Sequence, residues 1–199
     1  MQDAAKDRRL TLLMAAIALG DWELLREVRE SAPAGEPDTE WREAFLMSHL
    51  FAGFPRAVEA AVVLQRAGGL GQPDPSELRA ELDRPDAGAA LFETIYEDQT
   101  EAVRGILAGA HPELERWIIG HAYGRVLARP GLSAARRELL AVAALAVLGQ
   151  NRQLSSHVRG ARRCGATRDQ LDAVLDTIAS LIQPDQLEAC RQVVQRFAE

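Results

Sequence analysis

The sequence predicts an all-α protein, and three observations carry that prediction. Ala and Leu dominate while aromatic residues make up only 5% of the 199 positions, a composition that favours helix over strand. No stretch alternates apolar and polar β-branched residues, as a half-buried strand would. Apolar residues instead recur at i, i+3, i+4 and i+7, the spacing of one helical face. A hydrophobic content of 47% is enough to bury a core, and the length suits one domain or two small units sharing a core.

Taken in order, the chain opens with MQDAAKDRRLTLLMAAIALG, which has the outline of an export signal. Asp3 and Asp7 interrupt what a signal would keep basic, so a folded helix is expected there. Residues 66–87 hold Gly68, Gly69, Gly71, Pro73, Pro75 and Pro85 and mark the clearest boundary in the chain. Inside it, Asp74-Pro75-Ser76-Glu77 reads as N-cap, Pro at N1 and Glu at N3, the start of a short helix. One helical stripe follows from Ala89 to Ala108. A second helix runs from Pro112 to about Ala128, with Trp117 expected in the core, and ends before Pro130. Ser133 is a suitable N-cap for the next helix. In that helix Leu139 to Leu148 carry no polar side chain, so it must be buried on all sides. Gly149 breaks it. Thr167 and Gln170 form a capping box for a helix reaching about Ile182, and Pro184 opens the last one.

An internal repeat underlies this order. Displaced by 128 positions, Arg8 and Arg9 fall on Arg136 and Arg137, Leu12 on Leu140, Ala15 and Ala16 on Ala143 and Ala144, and Thr39 on Thr167. A slip of one residue brings Pro55 onto Pro184. A register held over about fifty residues points to duplication. The expected organisation is an N-terminal degenerate half at 1–68, a linker with a short helix at 69–88, and a C-terminal half at 89–199. Glu138 falls on Leu10 and His157 on Arg29, so only the C-terminal half keeps candidate chemistry.

That chemistry centres on two residues. Leu154, His157, Val158 and Ala161 share one helical face, which turns His157 inward. If the helices on either side of Gly149 pack antiparallel, Glu138 and His157 meet in an apolar setting. On their own the two residues also fit structural roles, a hydrogen-bonded core histidine and a first-turn acid favoured by the helix dipole. Cys164 and Cys190 have no metal-type or CxxC spacing, and free thiols are expected. The histidines, His49, His111, His121 and His157, show no HxxxH-like pattern, so no metal site is expected. A net charge of −6 without a basic tract argues against a nucleic-acid partner, and no membrane partner is expected.

The run from about Phe92 to Gln183 resembles the carboxymuconolactone decarboxylase family, which shares its fold with AhpD-type alkylhydroperoxidases. The matching pieces, in order, are HAYGRVLARPGL at 121–132, RRELLAVAALAVLG at 136–149, QLSSHVRGARRCGAT at 153–167 and RDQLDAVL at 168–175. In the peroxidase branch a Glu precedes a His by nineteen residues, with a CxxC pair between them. Glu138 and His157 keep that spacing, whereas Gln150 and Gln153 occupy the cysteine positions. The resemblance implies a cofactor-independent lyase acting on a small carboxylated lactone or similar acid. His157 would be its general acid and Glu138 the group orienting it. Arg136 and Arg137 would grip substrate carboxylates, with Tyr123, His121, Gln150 and Gln153 lining the pocket. Arg136 and Arg137 fit helix packing equally well, since both recur as Arg8 and Arg9. Peroxidase-related activity and a non-catalytic binding module are the alternatives. A cytoplasmic homo-oligomer, a trimer above all, is expected.

Overall fold

A computed structural model describes residues 2–79 and 84–197, with the side chains of 2, 3, 79, 84 and 85 outside the description. Among the described residues there is no strand, and the fold is all-α. Its axis is α8 (Ala134–Val147), in which every residue from Arg137 to Val147 is buried, as a helix apolar on all sides requires. Ser133 caps it by accepting from the Arg136 amide. Gly149, at φ 67°, reverses the chain, and α9 (Asn151–Arg163) returns along α8. Then come α10 (Arg168–Ile178), opened by the Thr167–Gln170 capping box, a 3₁₀ turn at Ala179–Leu181, and α11 (Pro184–Phe197).

The N-terminal part packs on this axis through its first helix. α1 (Gln2–Leu19) buries Leu10, Leu13, Met14 and Ile17 and packs on α2 (Trp22–Glu30), α3 (Thr39–Arg66) and α8. Gly20, at φ 74°, ends α1 as Gly149 ends α8. α3 is two helical arms. Gly53 at φ 76° and ψ 164° breaks the helix, and Pro55 sits where the second arm begins, a first-turn position that tolerates its missing N–H.

Between these parts, α4 (Pro75–Arg79) starts where Asp74 accepts from the Ser76 amide and Glu77 accepts from the Asp74 amide. Glu77 also holds Arg42 of α3, at 2.6 and 2.9 Å, which ties the short helix down. These Arg42 hydrogen bonds keep the Glu77 carboxyl below its ordinary 4.5. Its stabilising effect is therefore fully present above pH 4.5 and is lost as pH falls through the lower folded-state value. In urea titrations, Glu77→Gln is expected to be less stable than wild type at pH 7 and to differ less at about pH 3.5. An equal deficit at both pH values would remove Glu77 from the acid response.

Three sequence expectations are corrected here. The stripe from Ala89 to Ala108 is two helices, α5 (Arg84–Tyr96) and α6 (Thr100–Ala110), separated by a 3₁₀ turn at Glu97–Gln99. Glu97 takes a positive φ of 47°, a break that apolar spacing does not register. The helix expected from Pro112 is α7 (Pro112–Trp117) followed by a π-helix at Ile118–Leu127. Gly124 on the π-helix meets Gly88 of α5 so closely that a Cβ on Gly88 would lie 2.5 Å from the Gly124 amide nitrogen. Trp117, expected in the core, is 65% exposed, because the end of α7 faces solvent.

Candidate active site

α8 and α9 place Glu138 and His157 at one end of their antiparallel pair. The Glu138 residue is 1% exposed, and its Oε2 lies 2.8 Å from His157 Nδ1. The imidazole is held on the inward face of α9 with Leu154, Val158 and Ala161, all buried, and keeps 13% side-chain exposure. One turn along, Gly160 leaves the room that the carboxylate occupies. A Cβ there would stand 2.6 Å from Glu138 Oε2 and 3.2 Å from Ile95 Cγ2. Phe51, on the first arm of α3, meets the imidazole edge-on at 5.8 Å between ring centroids.

A carboxylate accepts only, so His157 presents Nδ1–H to Glu138 and its Nε2 remains for a reactant. This arrangement fixes the tautomer and the ring orientation.

Two phenols complete the apolar side. Tyr123 is 4% exposed, meets Phe92 edge-on at 4.8 Å, and shares a hydroxyl hydrogen bond with Tyr96. Burial, then the neighbouring Tyr96 and the Glu138 charge, push the Tyr123 phenol well above its usual range. Burial likewise raises Tyr96. Both stay neutral and able to donate.

Cys164, the residue that closes α9, is a free, half-buried thiol. Burial, and after it the charge on Glu138, push its pKa up to about 11. The thiolate is the nucleophile, so little of the reactive form exists at neutral pH. Alkylation by iodoacetamide, followed by mass spectrometry, is expected to be slower at Cys164 than at an unshifted thiol at pH 7.5. The rate should climb with pH past 9. Rapid labelling at pH 7.5 would contradict the assigned environment.

The remaining sequence candidates are dispersed. Arg136 bonds Asp7 of α1 and Glu40 of α3. Arg137, 1% exposed, bonds the fully buried Glu43 at 2.8 Å and the carbonyls of Arg129 and Pro130. The two guanidiniums expected to grip a substrate thus serve the joint between α8 and α3. Gln150 and Gln153 are exposed at the start of α9. His121 is exposed and pairs with His49. Tyr123 alone of the expected lining residues lies close enough to Glu138 to feel its charge. Sequence reading missed Phe51, Tyr96 and Gly160. Only Gly160 left a signal, as an isolated glycine inside a helical pattern.

Residues 112–196 match the sequence model of the carboxymuconolactone decarboxylase family. The chain is also similar to Peroxisomal protein 2 of Schizosaccharomyces pombe, at 30% identity over 135 residues. That similarity covers 65% of this chain and 62% of the relative; the chain thus spans about three-fifths of the relative's length. No helix among the described residues is long and apolar enough to cross a membrane. Through residues 112–196, the chain is thus similar to the carboxymuconolactone decarboxylase family.

Proposed function

We propose that the chain is a cofactor-independent decarboxylase acting on a small carboxylated lactone or a similar acid. The observation that carries this reading is the hydrogen bond between His157 Nδ1 and buried Glu138. It leaves Nε2 as the nitrogen that can carry a proton to a substrate. In the reaction the bond from carbon to carboxylate breaks and CO2 departs. The electron pair left on carbon delocalises into the substrate carbonyl, so the substrate is its own electron sink. Imidazolium Nε2–H then gives its proton to that carbon, and the neutral ring is reprotonated from water. Glu138 holds the ring in position through this hydrogen bond, so that Nε2 faces the reactant. A positioned acid of this kind contributes about 10²–10⁴ in rate.

Arg136 and Arg137 are left out of this assignment because their own carboxylates hold them. The peroxidase-related alternative needs a thiolate beside a base, and the raised pKa of Cys164 counts against it.

The matching succession α1–α2–α3 and α8–α9–α10–α11 supports an internal duplication in which the first half is a packing partner. Apolar side chains left exposed on the second arm of α3, Phe54, Val58 and Val62, support a homo-oligomer.

The test is CO2 release from γ-carboxymuconolactone by wild type and His157→Ala. Release that drops about 10²–10⁴-fold in the variant is expected. Equal rates would end the acid role of His157, and no release from either protein would remove this substrate.

A further inference from the structure

We infer that the hollow where α1, α8 and α10 meet is a binding site for a small aliphatic carboxylic acid, separate from the Glu138–His157 pair. The three helices pack on one another, yet they leave a cavity of about 100 Å³ between them. One water needs roughly 10–15 Å³, so the hollow has room for a molecule of several heavy atoms. Ala4 and Ala173 stand on its wall, and their short side chains keep open what longer ones would fill.

The wall selects the tail. Leu10, Leu139, Leu140 and Val174 line the cavity and are buried, and none of the lining residues is aromatic. Water beside such a wall finds few partners, so an alkyl chain displaces it favourably. One polar group belongs to the same lining. Thr11 is 4% exposed, and its hydroxyl makes no hydrogen bond among the described residues. A buried hydroxyl without a partner is costly, and a ligand oxygen relieves that cost.

The rim selects the head. Three charged residues line the cavity, Asp7, Arg8 and Arg136. Asp7 is taken by Arg136, which also bonds Glu40. Arg8 is exposed and has no acid partner among the described residues. One positive charge is therefore left over at this mouth, on a chain whose net charge is −6. A guanidinium matches a carboxylate with paired donors. Arg8 and Thr11 stand at i and i+3 of α1, neighbours on one helical face, so a single carboxylate can meet both. An amine or a neutral hydrocarbon would satisfy the wall alone.

The cavity and the Glu138–His157 pair lie on different faces of α8. Leu139 follows Glu138 by one residue, about 100° around the helix. Leu139 lines the cavity, while Glu138 meets His157 and Gly160 of α9.

The experiment is calorimetric titration of the full chain with sodium hexanoate. Acetate, the head alone, and hexylammonium, the tail with the opposite charge, are the comparison ligands. The titration is repeated with Arg8→Gln, Ala173→Phe, Arg66→Gln and His157→Ala, and circular dichroism checks folding. Hexanoate is expected to bind wild type saturably, about tenfold or more tighter than either comparison ligand. Arg8→Gln should weaken it about tenfold, the scale of one charge-assisted hydrogen bond. Ala173→Phe puts a ring into the hollow and should abolish binding. Arg66 is exposed at the end of α3 and does not line the cavity, so Arg66→Gln should bind as wild type does, and so should His157→Ala. Absence of saturable hexanoate binding by wild type would overturn the proposal. So would hexylammonium binding as tightly as hexanoate, or binding unchanged in both Arg8→Gln and Ala173→Phe. Binding lost in His157→Ala would overturn it too, because the acid would then sit at the Glu138–His157 pair.

Discussion

Glu43→Ala is expected to cost the fold about 3–5 kcal/mol, the scale for stripping one partner from a buried ion pair. Glu43 is 0% exposed and accepts from Arg137 at 2.8 Å and from Arg129 at 2.8–3.0 Å. Arg137 is itself 1% exposed. Without the carboxylate, two cations lose the charge that faces them at a joint where water does not reach Arg137. For a chain of this size the loss corresponds to a fall in Tm of roughly 6–20 °C, readable by thermal denaturation and by urea titration. The pair itself adds less than this figure, because the variant's cost includes a stranded charge. The double variant Glu43→Leu/Arg137→Met should therefore recover much of the deficit. If Glu43→Ala cost less than about 1 kcal/mol, the group would behave as a solvent-screened surface pair, and its burial would be wrong.

Glu43 also shows where the sequence was readable and where it was not. Local signals were legible because they depend on neighbours within one or two turns. Ser133 and Thr167 cap as their positions imply, α8 is buried as its apolar run requires, and Gly149 turns the chain. The Glu138–His157 contact was legible for the same reason, since both residues sit on helices joined by a single glycine turn. Arg136 and Arg137 belong to the other class. Their sequence says only that a helix begins with two cations. Which carboxylates meet them depends on α3, more than ninety positions earlier. His49 and His121 were judged scattered on the same ground, although the packing of α3 on the π-helix brings them together. Helical periodicity reports which face of an element is inward; it does not report which distant element covers that face.

The most informative single change at the site itself is Gly160→Ala. Two effects oppose each other. Alanine favours helix over glycine by about 1 kcal/mol, and at an unobstructed helical position such as Gly105, where a Cβ would meet nothing within 4 Å, Gly→Ala should leave stability equal or slightly higher. At Gly160 the Cβ would stand 2.6 Å from Glu138 Oε2, 3.2 Å from Glu138 Cδ and 3.2 Å from Ile95 Cγ2. Overpacking of this kind costs about 1–3 kcal/mol. The carboxylate, 1% exposed, has to move, and a hydrogen bond made by a charged group is worth about 1.5–3 kcal/mol. The steric and electrostatic losses outweigh the helix preference, so Gly160→Ala should be less stable than wild type while Gly105→Ala is not. Function should suffer more than stability, since a general acid needs its orienting partner within hydrogen-bond reach. CO2 release should fall toward the level of His157→Ala. Wild-type release from Gly160→Ala would mean that the carboxylate retains its place beside an added methyl group. The close fit of α9 on Glu138 would then not be what holds the pair together.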